Sequence, residues 1–168
     1  MSLLKRLFLL VGLLALPAVL SGCGFQPVYG ERGIQSSGAE LQSIAIARVP
    51  DRVGHRLRDE LYRLFHGDGQ NARYQLAISL ENRSVVTAVN RDSSDLRRNL
   101  RLIADIRLTQ PGQEKPLYET RVFSDAGIDQ LPSDFATFVA EDAAEKRAVE
   151  RLARDIRDRL ALYFARRQ

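Results

Sequence analysis

Residues 96–108 constrain the fold more than any other stretch of the chain. Leu96, Leu100, Leu102, Ala104, Ile106 and Leu108 hold even positions, while Arg97, Asn99, Arg101, Asp105 and Arg107 hold odd ones. A period of two is that of a half-buried strand, with one greasy face and one arginine-rich face. The same period runs through Tyr74, Leu76, Ile78 and Leu80, slips near Asn82–Val85, and resumes at Val86 and Val89. A bulge or bend accounts for such a slip. The polar run Asn90–Asp95 joins the two strands into a long hairpin. After the turn at Gln110–Lys115, Leu117–Ile128 reads as a further strand with weaker alternation.

Elsewhere the period changes to that of a helix. Val53, Leu57, Leu61 and Leu64 form one stripe on a helix predicted from Arg52 to about His66, with Asp51 as its N-cap. Gly67-Asp68-Gly69 stops it. Val149, Leu152, Ile156, Leu160 and Phe164 predict a long helix over Val139–Ala165, supported by the acid-before-base pairs Asp142/Lys146, Glu150/Arg154 and Asp155/Arg159. A first strand is expected at Leu41–Val49. The element order is thus β-α-β-β-β-α, and the fold class is α+β. It is a four-stranded mixed sheet with two amphipathic helices packed on one face, since that arrangement buries every stripe. The charged odd face of the Leu96–Thr109 strand then points away from the helices, to water or a partner.

The N-terminus follows a different logic. Lys5 and Arg6 precede Leu7–Leu20, an unbroken apolar run of 14 residues, which suits an export signal and is short for a bilayer crossing. Leu20-Ser21-Gly22-Cys23 then has the form of a bacterial lipobox, and Cys23 is the only cysteine of the chain. Residues 1–22 are accordingly expected to be removed and Cys23 to be acylated. Residues 23–40, rich in Gly, Ser, Gln and Pro, read as a lipidated N-terminus and tether, and 41–168 as a single α/β domain. Stable anchoring takes at least two fatty chains, and the several acyl groups of a lipoprotein N-terminus, palmitate among them, supply that. Gly24 follows the cysteine in place of an inner-membrane-retaining aspartate, which favours the outer membrane.

Composition excludes some functions. The export signal carries two of the 25 basic residues and none of the 21 acidic ones, so the mature chain has only about two surplus positive charges. That is too few for a nucleic-acid footprint. His55 and His66 share a helix face but lie roughly 16 Å apart along it, beyond the span of one metal ion. Ser93 and Ser94 have no histidine or strand-to-helix elbow beside them, and no phosphate loop is present. No catalytic residue, metal site or cofactor is expected. The candidate binding residues are Arg91, Arg97, Arg98 and Arg101, on the tip and second arm of the hairpin, with Arg83 on the first. Arginine forks suit phosphates and carboxylates, and the phosphorylated head of lipopolysaccharide is the obvious anion of an envelope protein. The alternative is a solvated strand face, which the interspersed Asp92, Asp95 and Asp105 support.

Cys23-Gly24-Phe25-Gln26-Pro27-Val28-Tyr29-Gly30 resembles the segment after the lipobox in the LptE family of lipopolysaccharide-assembly lipoproteins of alphaproteobacteria. Leu152–Phe164 (LARDIRDRLALYF) is similar to that group's last helix, and the element order agrees. The resemblance implies a heterodimer with an LptD-type outer-membrane β-barrel, in whose lumen the lipoprotein sits as a plug. It also implies lipopolysaccharide binding, delivery to the outer leaflet and help in barrel assembly. The competing expectation is an auxiliary lipoprotein of a lipid-transport ABC system, which shares a lipobox and a small mixed domain.

Overall fold

A computed structural model describes residues 38–70, 72–89, 96–129 and 133–167, with the backbone alone at 86–89, 96–97 and 129. The elements are β1 (Ile44–Ile46), α1 (Asp51–Phe65), β2 (Tyr74–Val89), β3 (Leu96–Thr109), β4 (Tyr118–Asp129) and α2 (Asp134–Ala165). The four strands form one sheet in the order β1-β2-β3-β4. β1 runs parallel to β2, so α1 serves as the connection that parallel neighbours require, and the later pairs are antiparallel.

Strand parity decides which side chains are buried. Leu76 pairs with Leu108, Ile78 with Ile106, Ala104 with Val122 and Leu100 with Ala126, all on one face. These side chains are buried together with Leu57, Leu61 and Phe65 of α1 and Leu152, Ile156, Leu160 and Phe164 of α2. α2 packs along β3 and β4 and against α1, and α1 reaches β1. Both helices therefore lie on one side of the mixed sheet. Each fully buried Leu, Ile or Phe contributes roughly 1.5–3 kcal/mol relative to exposure, and this core supplies the driving force for the fold. Ala144, Ala148 and Ala153 keep the inner side of α2 narrow, which brings it close to its neighbours.

Several local details differ from the sequence reading. Residues 38–42 form a helical turn, and the first strand is only three residues long. Leu41, expected in that strand, instead closes the core from the helical turn. Asp51 does not cap α1 with its side chain. Pro50 holds the cap position, and Asp51 opens the helix with φ +67°. His66 ends it in the left-handed region at φ +54°, one residue before the glycine expected to do so. α2 begins at Asp134, five residues earlier than the apolar stripe indicates, because its first turns carry exposed Phe135, Phe138 and Val139.

The interruption in β2 is also displaced. Pairing with β3 continues through Asn82, Arg83, Ser84 and Val85, and the register shifts only between Val86 and Ala88. Asn82 and Ser84 keep the core parity but are exposed while their partners Leu102 and Leu100 are buried, since the helix layer there covers β3 and β4 and not β2. Polarity at those two positions marks the edge of the helix layer, and no bend is needed.

Candidate functional site

Where β2 lies beyond the edge of the helix layer, a groove of ≈ 250 Å³ opens between the sheet and the start of α2. Asn82 and Ser84 of β2, Arg98 and Leu100 of β3 and Ile128 of β4 form its floor. Arg52 of α1 with Phe138, Glu141, Asp142 and Glu145 of α2 form its wall.

The wall is held by charges that join elements distant in sequence. Arg52 reaches Asp142 at 3.2 Å and Glu145 at 2.7 Å. Arg56, one turn along α1, reaches Asp142 at 2.8 Å and Glu145 at 3.1 Å. Each guanidinium thus spans two carboxylates, the use for which its planar fork is suited. Hydrogen bonds from Arg56, then Arg52, hold the Asp142 carboxyl below the usual carboxylate range. Glu145 is the inward member, with its side chain only 10% exposed. The pair expected within α2, Asp142 with Lys146, gives way to this cross-helix clasp, whereas Asp155 and Arg159 do meet at 3.4 Å.

Arg98 sits alone at the other side of the groove. One of its Nη atoms donates to Glu141, which no second arginine touches among the described residues. Its Nε is buried and has no hydrogen-bond partner. Because 98 is an even position, this arginine lies on the helix face with Leu100 and not with the charged odd residues.

The opposite face of the sheet is open and self-neutralising. Arg101 forks onto Asp125 at 2.6 and 3.1 Å and lies over the Phe123 ring, 5.4 Å from its centroid. Arg121 forks onto Asp105 at 2.7 and 3.0 Å and thereby holds that carboxyl below its ordinary range. Arg107 pairs with Glu119, and Arg83 with Glu81 at 2.6 Å. The arginine-rich odd face does point away from the helices, as expected, but its charges answer one another across and along the strands. Phe123 stands out of this polar lattice, 61% exposed.

The four candidate arginines are therefore divided. Arg98 faces the groove, and Arg101 is engaged on the far side of the sheet. Arg97 pairs through its backbone with Ala88 and Asp129, and its side chain lies outside the described residues, as does all of Arg91. Cys23 and the export signal also lie outside them. Sequence reasoning missed Arg52, Arg56, Asn82, Phe138 and Glu141. The one available signal was the pair of polar residues at core parity in β2. Among the described residues no three His, Cys, Asp or Glu side chains group to hold a metal, and no helix is long and apolar enough to cross a membrane.

Comparison with known proteins places this architecture. No curated protein matches the chain. A solved structure of a protein described as a lipoprotein, from Caulobacter crescentus CB15, is 25% identical, with a TM-score of 0.67, over 78% of this chain and 97% of that one. The minor lipoprotein of Acinetobacter baumannii, 13% identical over 72% of this chain and 92% of its own, shares the fold with a TM-score of 0.58. The family model described as LptE: Lipopolysaccharide-assembly matches residues 40–160, from the helical turn before β1 to the last turns of α2. The chain belongs to the LptE lipopolysaccharide-assembly family.

Proposed function

We propose that this chain is the lipoprotein subunit of an outer-membrane lipopolysaccharide translocon. In this reading it plugs an LptD-type β-barrel, assists the barrel's assembly and takes part in passing lipopolysaccharide to the outer leaflet. Family membership supports the process. The plug reading rests mainly on the open sheet face, where, among the described side chains, four arginines meet four carboxylates and leave no net charge. A surface of that kind stays wetted without attracting counterions, which suits the polar interior of a large barrel. The role requires shape and binding and no covalent chemistry.

The lipid anchor belongs to the same proposal. Cleavage before Cys23 and acylation of its sulfur would tie the chain to the outer membrane. Residues 23–37 would then link the lipid to the helical turn at 38–42, a reach of up to about 50 Å when extended. For lipopolysaccharide itself, Arg98 is the candidate contact, and Arg91 and Arg97 stay candidates from the sequence alone. Arg101 would first have to leave Asp125.

Affinity purification of the tagged chain from detergent-solubilised outer membrane tests the reading. The expected result is a stoichiometric, heat-modifiable barrel protein. Recovery of ABC-transporter components in its place would reject the proposal in favour of the auxiliary-lipoprotein alternative.

A further inference from the structure

The structure assigns Glu141 a role as the resident counter-ion of Arg98, a carboxylate that an incoming phosphate group must displace before the groove can hold it. This inference rests on the lipopolysaccharide reading above and specifies how that site is regulated.

The argument starts from how the groove's charges are shared. Arg52 and Arg56 each hold both Asp142 and Glu145, so removing either carboxylate leaves both arginines still paired. Withdrawing those arginines would strand Glu145, which is almost fully enclosed. The clasp is closed to exchange. Arg98 and Glu141 are different, because each has only the other as an ionic partner among the described residues. Glu141 is 40% exposed and can swing into water at small cost, whereas Arg98 is 32% exposed and has its Nε buried. Exchange therefore occurs by movement of the acid.

The carboxylate that Arg98 now holds leaves one of its donors unused. The Nε of Arg98 is buried and unpartnered, so the present pair uses only part of the guanidinium fork. A tetrahedral phosphate presents several acceptor oxygens and can take Nε and Nη together. Phe138 lines the same groove, and Phe135 and Val139 lie exposed beside it on α2. An apolar rim around a single exchangeable arginine fits a phosphorylated amphiphile better than free phosphate.

The test uses the purified full-length chain in detergent and three probes: lipopolysaccharide, chemically dephosphorylated lipopolysaccharide and inorganic pyrophosphate. Glu141→Gln keeps the shape and removes the competing charge. It should tighten lipopolysaccharide binding roughly 3- to 10-fold at low ionic strength, an effect that added salt erodes. The dephosphorylated probe should show no such gain. Phe138→Ala should weaken lipopolysaccharide and leave pyrophosphate unchanged, which separates a lipid source of the phosphate from a free one. Unchanged or weaker lipopolysaccharide binding by Glu141→Gln, with wild-type binding intact, overturns the counter-ion role alone. Absence of binding by both proteins overturns the lipopolysaccharide reading with it. Wild-type silence with binding by Glu141→Gln supports the counter-ion role in its strongest form. Melting curves of both variants matching the wild type exclude misfolding.

Discussion

Consider removal of one side or the other of the clasp between α1 and α2. Arg52→Met with Arg56→Met keeps the aliphatic stems but strands the nearly enclosed Glu145 carboxylate, its side chain 10% exposed, without either of its ion-pair partners. Breaking a buried pair from that side typically costs about 3–5 kcal/mol, and the remaining exposure of Glu145 places the expected loss near the lower figure. Glu145→Ala removes the buried charge itself. The arginines it abandons have side chains 61% and 36% exposed and keep Asp142, so solvent screens what remains. The expected loss is only about 1 kcal/mol. Glu145→Met, apolar and similar in volume, should come close to neutral. For a domain of this size 3 kcal/mol corresponds to a fall in Tm on the order of 10 °C, and 1 kcal/mol to a few degrees. Urea unfolding followed by circular dichroism, at equal m-values, measures all three. If the double arginine variant loses no more than Glu145→Ala, the enclosed carboxylate does not govern the clasp and the reasoning fails.

Three further outcomes are expected. Gly54→Ala should destabilise by about 1–3 kcal/mol despite the helix propensity it adds, because the new Cβ would stand 2.7 Å from Val49 Cγ1 and 3.0 Å from the Val49 carbonyl. A higher melting temperature would contradict this. Asp142 and Asp105 have native pKa values below the ordinary range, set by Arg56 with Arg52 and by Arg121 respectively. Such groups contribute fully above the unfolded carboxylate pKa and lose their contribution as pH falls through the native value. The urea midpoint should therefore stay level between about pH 6 and 8 and decline below about pH 4. A midpoint unchanged down to pH 3 would count against the ion pairs. Mass spectrometry of the mature N-terminus should find Cys23 first in the chain and carrying acyl groups, and a free thiol there would remove the anchor.

How much could be read from the chain depended on how far apart the cooperating residues lie. β3 is legible at both ends, Leu96 and Thr109, because alternation is a local property and one face is buried from Leu100 to Leu108. The helices and their shared face followed from stripes that have nowhere else to go. The first turns of α2 carry Phe135 and Phe138 without burying them, so no apolar stripe announced them. The groove was harder still, since Arg52, Asn82, Arg98 and Glu141 come from four elements and meet only through the tertiary fold. Even so, the separation of Arg98 from Arg101 was present in the pattern. An even and an odd position on one strand face opposite ways, and treating the arginines as one cluster overlooked that parity. The polar residues Asn82 and Ser84 suggested a bend because a strand was expected to be covered along its whole length, and this one is not.

The central claim is that this chain serves lipopolysaccharide assembly at the outer membrane. Depletion of the chain in its native host, followed by quantification of newly made lipopolysaccharide accessible at the cell surface, tests it most directly. The account predicts that surface delivery falls while synthesis continues, and that a plasmid copy of the chain restores it. Undiminished delivery after complete depletion would contradict the account.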